Sequence, residues 1–324
     1  MNAIEAAALL EQQDSILILT HRRPDGDTAG SAAALCMALR GTGKTAYVLP
    51  NEDATALIGA YYRGVEAPEG FEPDFVVSVD IAGVGLFPES AKKYANRVDL
   101  VIDHHPSNER FGKENCVDDT CAACGELVYD ICCQLGVITP EMARALYATV
   151  STDTGCFVYS NVTARTHRVA ANLMDIGCDH TVINKNHFRT KSARRLKLES
   201  ILMNSIDLLQ EGTVAIGAIS LEDMASIHAT EDDAEDIAAF IGQIEGVVVS
   251  VTIRELKPGE CKLSVRTDPN KLNATNVCAL LGGGGHAAAA GCTVFGNVQE
   301  ARGAIYKAIL AVQNKEKRSW QCGF

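Results

Sequence analysis

Short apolar runs alternate with longer stretches of helical character in the first half of this chain. Ser15-Ile-Leu-Ile-Leu-Thr20, Thr45-Ala-Tyr-Val-Leu-Pro50, Phe75-Val-Val-Ser-Val79 and Leu100-Val-Ile-Asp103 read as strands, most of them buried on both faces. Residues 1–14 form a first helix, with Ala6, Ala7, Leu9 and Leu10 on its apolar side. The small-residue run Ser31-Ala-Ala-Ala-Leu-Cys-Met-Ala-Leu39 predicts a helix packed close to a sheet, and Ala54 to Tyr62 a further helix. Strands alternating with helices predict a parallel sheet. Residues 161–210 read as helical and connect the halves. Beyond them, Thr213–Ile219, Val247–Leu256 and Cys261–Thr267 read as strands, the last two joined by a Pro258-Gly259 turn. The acidic run Glu231–Asp236 reads as a helix start, Asn273–Leu281 as a short helix, and the tail from Lys315 as frayed. The pattern divides into one domain over 1–190, including the start of a helical linker, and a smaller one over 191–324.

The polar residues that end these strands repeat one chemistry. The first run stops at His21-Arg-Arg-Pro-Asp25-Gly-Asp27, where Pro24 and Gly26 turn the backbone. The third ends in Asp80, the fourth in Asp103-His104-His105-Pro106, and Asp153 stands beside Gly155 further on. A parallel sheet gathers such ends on one edge, where open α/β sheets bind ligands. One Asp can be a cap or a turn, but a sheet has no structural reason to end strand after strand in Asp and His. Carboxylate with imidazole is a ligand set for Mn²⁺, Fe²⁺ or Zn²⁺. Asp25, Asp27, Asp80 and Asp153 in one pocket would repel unless cations cancel their charge. The set fits two divalent cations: one on His21, Asp25 and Asp80, the other on Asp27, Asp80, His104 and Asp153, with Asp80 bridging. Two metals generate hydroxide and clamp both oxygens of an in-line phosphoryl displacement. Asp103 is assigned to orienting a histidine, and His105 to contacting the phosphate or protonating the leaving oxygen.

Gly282-Gly-Gly-Gly285-His286 follows the last short helix. Glycines let backbone N–H groups approach an anion, and His286 can donate to a phosphate oxygen. With Arg266 and Lys271 nearby in sequence, Gly283, Gly284, Gly285 and His286 read as the recognition half of a phosphate site. The basic stretch from Asn186 to Lys197 reads first as the solvated face of a linker helix.

Charge and composition narrow the substrate. The net charge is −12, whereas proteins that grip long nucleic acid carry a basic stripe; a nucleic-acid substrate should be short and held locally. No apolar run approaches the roughly 20 residues that span a bilayer, and Met1-Asn-Ala-Ile-Glu5 has no secretory signal character. Twelve cysteines lack zinc-finger spacing and read as buried thiols of a cytoplasmic protein.

His21-x-x-Pro-Asp25-x-Asp27-x-x-Gly-Ser, the Asp80 strand end, Asp103-His104-His105 and Asp153 resemble the four motifs of the DHH phosphoesterases. Gly282–His286 and the Ala-rich stretch after it resemble that family's associated C-terminal domain. The resemblance implies an α/β architecture with an N-terminal parallel-sheet DHH-type domain, a helical linker and a smaller C-terminal α/β substrate-binding domain. It implies metal ligands at His21, Asp25, Asp27, Asp80, His104 and Asp153, substrate contacts at Arg266 and Gly282–His286, and Mn²⁺ as the cofactor; it also allows a homodimer. The short two-domain layout, Asn108-Glu-Arg-Phe-Gly112 and Thr166-His167-Arg168 are similar to the nano-RNA phosphoesterase subgroup. Expected substrates are therefore very short oligoribonucleotides, linear dinucleotides and 3′-phosphoadenosine 5′-phosphate. Ala287 to Ala290 and Arg22-Arg23 depart from the family pattern. The alternatives are a metal-dependent nucleotide sensor without turnover and a single-strand DNA exonuclease, which would need a basic track.

Overall fold

The computed structural model describes residues 1–136, 138–234 and 237–321, with side chains described through residue 315. The chain forms two compact units, Met1–Thr190 and a second beginning at Lys191.

The first unit runs α1 (Ala3–Glu11), β1 (Ile16–Leu19), α2 (Gly26–Gly41), β2 (Ala46–Val48), α3 (Ala56–Tyr62), β3 (Phe75–Val79), β4 (Leu100–Asp103), β5 (Glu114–Val117), α4 (Cys124–Leu135), α5 (Pro140–Asp153), α6 (Ala164–Ile176) and α7 (His180–Asn184). Its five strands pair in the order β2-β1-β3-β4-β5, all parallel. The order reverses between β1 and β3, which is where sheets of this kind open a crevice. Alternation along the strands fills two layers. Ile16, Ile18, Val77 and Ile102 pack under α1, α2, α4 and α5, while Leu17, Leu19, Val76 and Val101 meet Phe87, Ala91 and Tyr94 on the other face. Short 3₁₀ turns at Val84–Leu86 and Glu89–Tyr94 cover that second face, so no helical period marks it in the sequence.

Helix α2 is buried almost all round, and its small residues let it lie against α5. A Cβ added at Gly30 would stand 2.5 Å from the Ala145 carbonyl oxygen, a backbone atom that cannot swing aside. Gly30→Ala should therefore cost about 1–3 kcal/mol by overpacking. Gly59→Ala, whose Cβ meets nothing within 4 Å, should gain up to about 1 kcal/mol within α3. Urea midpoints of the two variants check the contrast; equal shifts would refute it.

The second unit holds α8 (Ala193–Asn204), β6 (Asp207–Leu209), β7 (Val214–Ile219), α9 (Leu221–Ser226), β8 (Val249–Lys257), β9 (Glu260–Thr267), α10 (Ala274–Ala279), β10 (Gly284–Gly285), β11 (Ala289–Phe295) and α11 (Val298–Gln321). Its sheet has the order β10-β11-β9-β8-β7-β6, with β7 and β8 the parallel pair and the other pairs antiparallel. No helix among the described residues is long and apolar enough to cross a membrane.

Several local expectations change. The stretch 161–210 is helical only to Asn204, and Asp207–Leu209 is an edge strand. Helix α11 continues to Gln321, past the point where the tail was expected to fray, and the last three residues lie outside the described ones. Within the acidic run Asp232–Ala234 forms a 3₁₀ turn, and Glu235 and Asp236 lie outside the described residues. Asp233 anchors the turn. Its buried carboxylate accepts from Ser192 Oγ (2.6 Å), Arg194 Nε (2.8 Å) and the Thr230 N–H (3.0 Å), which ties the turn to the start of α8.

Those donors, Ser192 first, hold the Asp233 carboxyl well below the usual carboxylate range. A group whose folded pKa is depressed stabilises above its unfolded value, about 3.9, and loses that contribution as pH falls toward the folded one. Asp233→Asn should therefore destabilise by about 1–3 kcal/mol at pH 7, and the difference from wild type should shrink as the pH falls below about 4. Thermal denaturation at pH 7 and pH 3 measures this; a pH-independent difference would contradict it.

Candidate metal centre

His21, Asp25, Asp27, Asp80, Asp103, His104, His105 and Asp153 all stand at the carboxyl ends of β1, β3 and β4 or at the end of α5. Four element ends, those of β1, β3, β4 and α5, meet where α2 begins. Asp25 caps that helix, accepting from the Asp27 and Thr28 N–H groups at 2.9 and 3.2 Å, and Thr28 Oγ1 donates to the Val79 carbonyl at 2.9 Å. Asp80 follows β3 with a left-handed backbone, φ 59°, and its own N–H donates to the Ile102 carbonyl. Asp tolerates that conformation better than most residues.

Asp27 has a second structural task. The start of α4 lacks a side-chain cap at Ala123, and the Asp27 carboxylate takes its place. It accepts the N–H groups of Cys124 and Gly125 at 2.7 and 3.0 Å, with Ser31 Oγ at 3.1 Å. The positive end of α4 thus faces Asp27.

Each imidazole is held by its Nδ1. His21 Nδ1 lies 2.9 Å from the Arg22 carbonyl and His104 Nδ1 3.1 Å from the Cys121 carbonyl, both acceptors, so Nδ1 carries the proton. The Nε2 atoms turn to the acids. His21 Nε2 is 3.7 Å from Asp25 Oδ1 and from Asp80 Oδ2. His104 Nε2 is 3.8, 3.6 and 3.5 Å from carboxylate oxygens of Asp27, Asp80 and Asp153. These separations are too long for hydrogen bonds. They suit donors that each reach a shared cation about 2.0–2.2 Å away. The donor atoms of His21, Asp25 and Asp80 lie within 4.8 Å of one another, as do those of Asp27, His104 and Asp153.

The electrostatics call for cations. Burial, then the neighbouring Asp27, pushes Asp80 well above the ordinary carboxylate range, and Asp80 Oδ1 is buried with no hydrogen-bond partner. Burial and the charges of Asp27 and Asp25 push Asp153 up to about 8. Burial alone would lower His21, yet Asp25 and Asp80 pull it up to about 11. Nitrogen and oxygen donors around an orphaned carboxylate oxygen fit bound divalent cations.

Asp103 is fully buried and all its capacity is used. Oδ1 accepts from the His104 N–H (2.8 Å) and His105 Nδ1 (2.7 Å), and Oδ2 accepts from Asn108 Nδ2 (2.5 Å). The histidine side chain it holds is His105, which Asp103 raises to about 9. Asn108 had no assigned task in the sequence, although it lies in the stretch after the Asp-His-His run. The α4 cap on Asp27 was also missed, because backbone donors leave no residue-type signal.

In the second unit Arg266 lies on β9, paired with Ala289 of β11. The glycine run forms a tight hairpin in which the His286 N–H donates to the Ala289 carbonyl at 2.8 Å and the Gly283 N–H to the Cys278 carbonyl at 2.9 Å. A Cβ on Gly283 would stand 2.2 Å from the Gly291 oxygen, so this glycine permits a close strand approach. Thr275 Oγ1 pins the Gly285 carbonyl at 2.9 Å. The N–H groups of Gly283 and His286 are thus used within the domain, while Gly284, Gly285 and the His286 side chain are exposed. Lys271 pairs with Asp268 at 3.9 Å.

Residues 15–150 match the DHH family, N-terminal domain, and residues 214–313 match the DHHA1 domain. The bifunctional oligoribonuclease and PAP phosphatase NrnA of Thermus thermophilus is 33% identical over 312 residues, spanning 90% of this chain and 87% of that one. Among solved structures, an exopolyphosphatase-related protein from Bacteroides fragilis aligns with a TM-score of 0.85 at 23% identity, covering 97% of each chain. RecJ from Thermus thermophilus in complex with Mn²⁺ aligns with a TM-score of 0.54 at 16% identity, covering 97% of this chain and 55% of RecJ. At those identities the solved structures speak for the fold. With both domain matches and a relative aligned along nearly its whole length, the chain belongs to the DHH family of phosphoesterases, hydrolases of phosphoester bonds, and carries a DHHA1 domain.

Proposed function

We propose that this enzyme hydrolyses the terminal phosphoester of very short oligoribonucleotides, linear dinucleotides included, and of 3′-phosphoadenosine 5′-phosphate, in the cytoplasm and with two Mn²⁺ ions. The observation that carries the reading is two donor groups, His21 with Asp25 and Asp80, and Asp27 with His104 and Asp153, with the orphaned Asp80 Oδ1 3.6 Å from His104 Nε2. His21, Asp25 and Asp80 would hold one cation, and Asp27, His104, Asp153 and Asp80 the other. When bound, two such cations neutralise the carboxylates, activate a water and clamp the phosphoryl oxygens. The mixed nitrogen and oxygen set favours Mn²⁺ over a purely oxygen-seeking ion, and a RecJ of the same fold was solved with Mn²⁺.

The protein's own residues do the rest. His21 and His104, anchored through Nδ1, point Nε2 at the carboxylates that would share a metal. His105, anchored on Asp103, offers Nε2–H to the leaving oxygen. Arg266 and the Gly283–His286 hairpin, with exposed Gly284 and His286, would form the recognition half of the site for the scissile phosphate. The net charge of −12 supports a short substrate over a long strand, and the named activity of the Thermus relative supports both substrate kinds.

The test follows product release from a five-residue RNA, a 25-residue RNA, a dinucleotide and 3′-phosphoadenosine 5′-phosphate, with Mn²⁺ and with chelator. Fast, chelator-sensitive turnover of the short substrates is expected, with the long strand slow. Equal rates on long and short RNA would replace this reading with a processive exonuclease, and nucleotide binding without turnover would replace it with a sensor.

A further inference from the structure

A small cavity opens beside His105. Its volume is about 80 Å³, and His105, Pro106, Asn108, Arg110, Val117 and Asp119 line it. A single water needs roughly 10–15 Å³ on this measure, so a phosphate group fits. Arg110 is exposed, and its guanidinium has no hydrogen-bond or ion-pair partner among the described residues. Its backbone is left-handed, φ 51°, a conformation that costs a non-glycine residue energy. One residue holds it there: the Arg110 N–H donates to Asn108 Oδ1 at 2.6 Å. The same Asn108 donates to Asp103, which anchors His105. A single amide therefore sets the imidazole and the guanidinium on one cavity.

We infer that this cavity receives the leaving half of the substrate, and that Arg110 selects leaving nucleotides that carry a phosphate of their own. The inference rests on the phosphoesterase reading above. In that reaction the bond from phosphorus to the leaving oxygen breaks, water supplies the new oxygen on phosphorus, and the leaving oxygen takes a proton. The group next to His105 is then the departing nucleotide. A guanidinium recognises a phosphate through charge-assisted, paired hydrogen bonds. Asp119 is the opposing charge in the cavity and weighs against any anion there, so it makes a second test with a known sign.

The experiment compares two substrates of the Mn²⁺-loaded enzyme that lose the same 3′-phosphate. 3′-Phosphoadenosine 5′-phosphate leaves as AMP, and adenosine 3′-phosphate leaves as adenosine. Arg110→Ala should lower kcat/KM for the bisphosphate about 10- to 100-fold, the range of a hydrogen bond to a charged group, and change the monophosphate within about twofold. Arg110→Lys should keep part of the preference, and Asp119→Asn should increase it. Calorimetric titration with AMP should show the same loss of affinity in Arg110→Ala and needs no turnover. An equal fall for both substrates, unchanged AMP binding, or a weaker preference in Asp119→Asn would overturn the assignment. Failure of the wild type on both substrates would count against the function proposed above, and AMP binding would still decide the subsite.

Discussion

Replacing Asp80 with asparagine should abolish hydrolysis and at the same time stabilise the metal-free protein. The two effects have one origin. Asp80 lies between both donor groups, and its side chain is 3% exposed. One of its oxygens has no partner, and burial with Asp27 beside it makes the ionised form costly. Without cations, burial makes this carboxylate costly to ionise and leaves one oxygen unsatisfied, and an amide of the same shape lowers that cost. The variant should gain about 1–3 kcal/mol in chelator, the cost of an unsatisfied buried group. In excess Mn²⁺ the order should reverse, because ligand stabilises only the form that binds it. Activity should fall by well over a hundredfold, since even residues that only support a ligand cost about 10- to 100-fold. Thermal denaturation in chelator and in Mn²⁺, run beside a turnover assay, reads both. A lower midpoint than wild type in chelator, or retained turnover, would contradict the shared-carboxylate role.

The second large effect belongs to Asp103. Asparagine there leaves the shape and removes the acceptor that fixes the proton on His105 Nδ1. An amide carries no charge to stabilise the imidazolium that the Asp103 carboxylate favours, so the form that donates from Nε2 is depleted, which costs about 10²- to 10⁴-fold in kcat where a histidine is the proton donor. Every oxygen of Asp103 is already engaged, by the His104 N–H, His105 and Asn108, so Mn²⁺ affinity should change little. Steady-state kcat at saturating Mn²⁺, with Mn²⁺ affinity measured in parallel, separates the two roles. Loss of Mn²⁺ binding with kcat intact at high metal would show that Asp103 is itself a ligand.

Which parts of this molecule could be read from the chain follows from where the information lies. Strands β1, β3 and β4 are covered on both faces, so each appears as an unbroken apolar run, and the polar residue that ends it stands out. For that reason His21, Asp80 and the Asp103–His105 run were visible as strand-end groups. Edge strand β5, Glu-Asn-Cys-Val, has one buried residue and gives no such signal. Helix α4 begins at Ala123 without a capping side chain, because its cap is Asp27, distant in sequence. The turn at Asp233 depends on contacts distant in sequence for a related reason. An acidic run suits a helix start by local rules, but tertiary donors from Ser192 and Arg194 claimed its carboxylate. The glycine run stands out in the chain as a segment whose backbone can approach other groups closely. Residue type alone did not reveal that the Gly283 and His286 N–H groups are already engaged.

An electron paramagnetic resonance titration of the intact protein with Mn²⁺ tests the central claim most directly. The account predicts two ions bound per chain, with the six-line signal of free Mn²⁺ replaced by that of a coupled pair bridged through Asp80. A single uncoupled ion, or no binding at all, would contradict it.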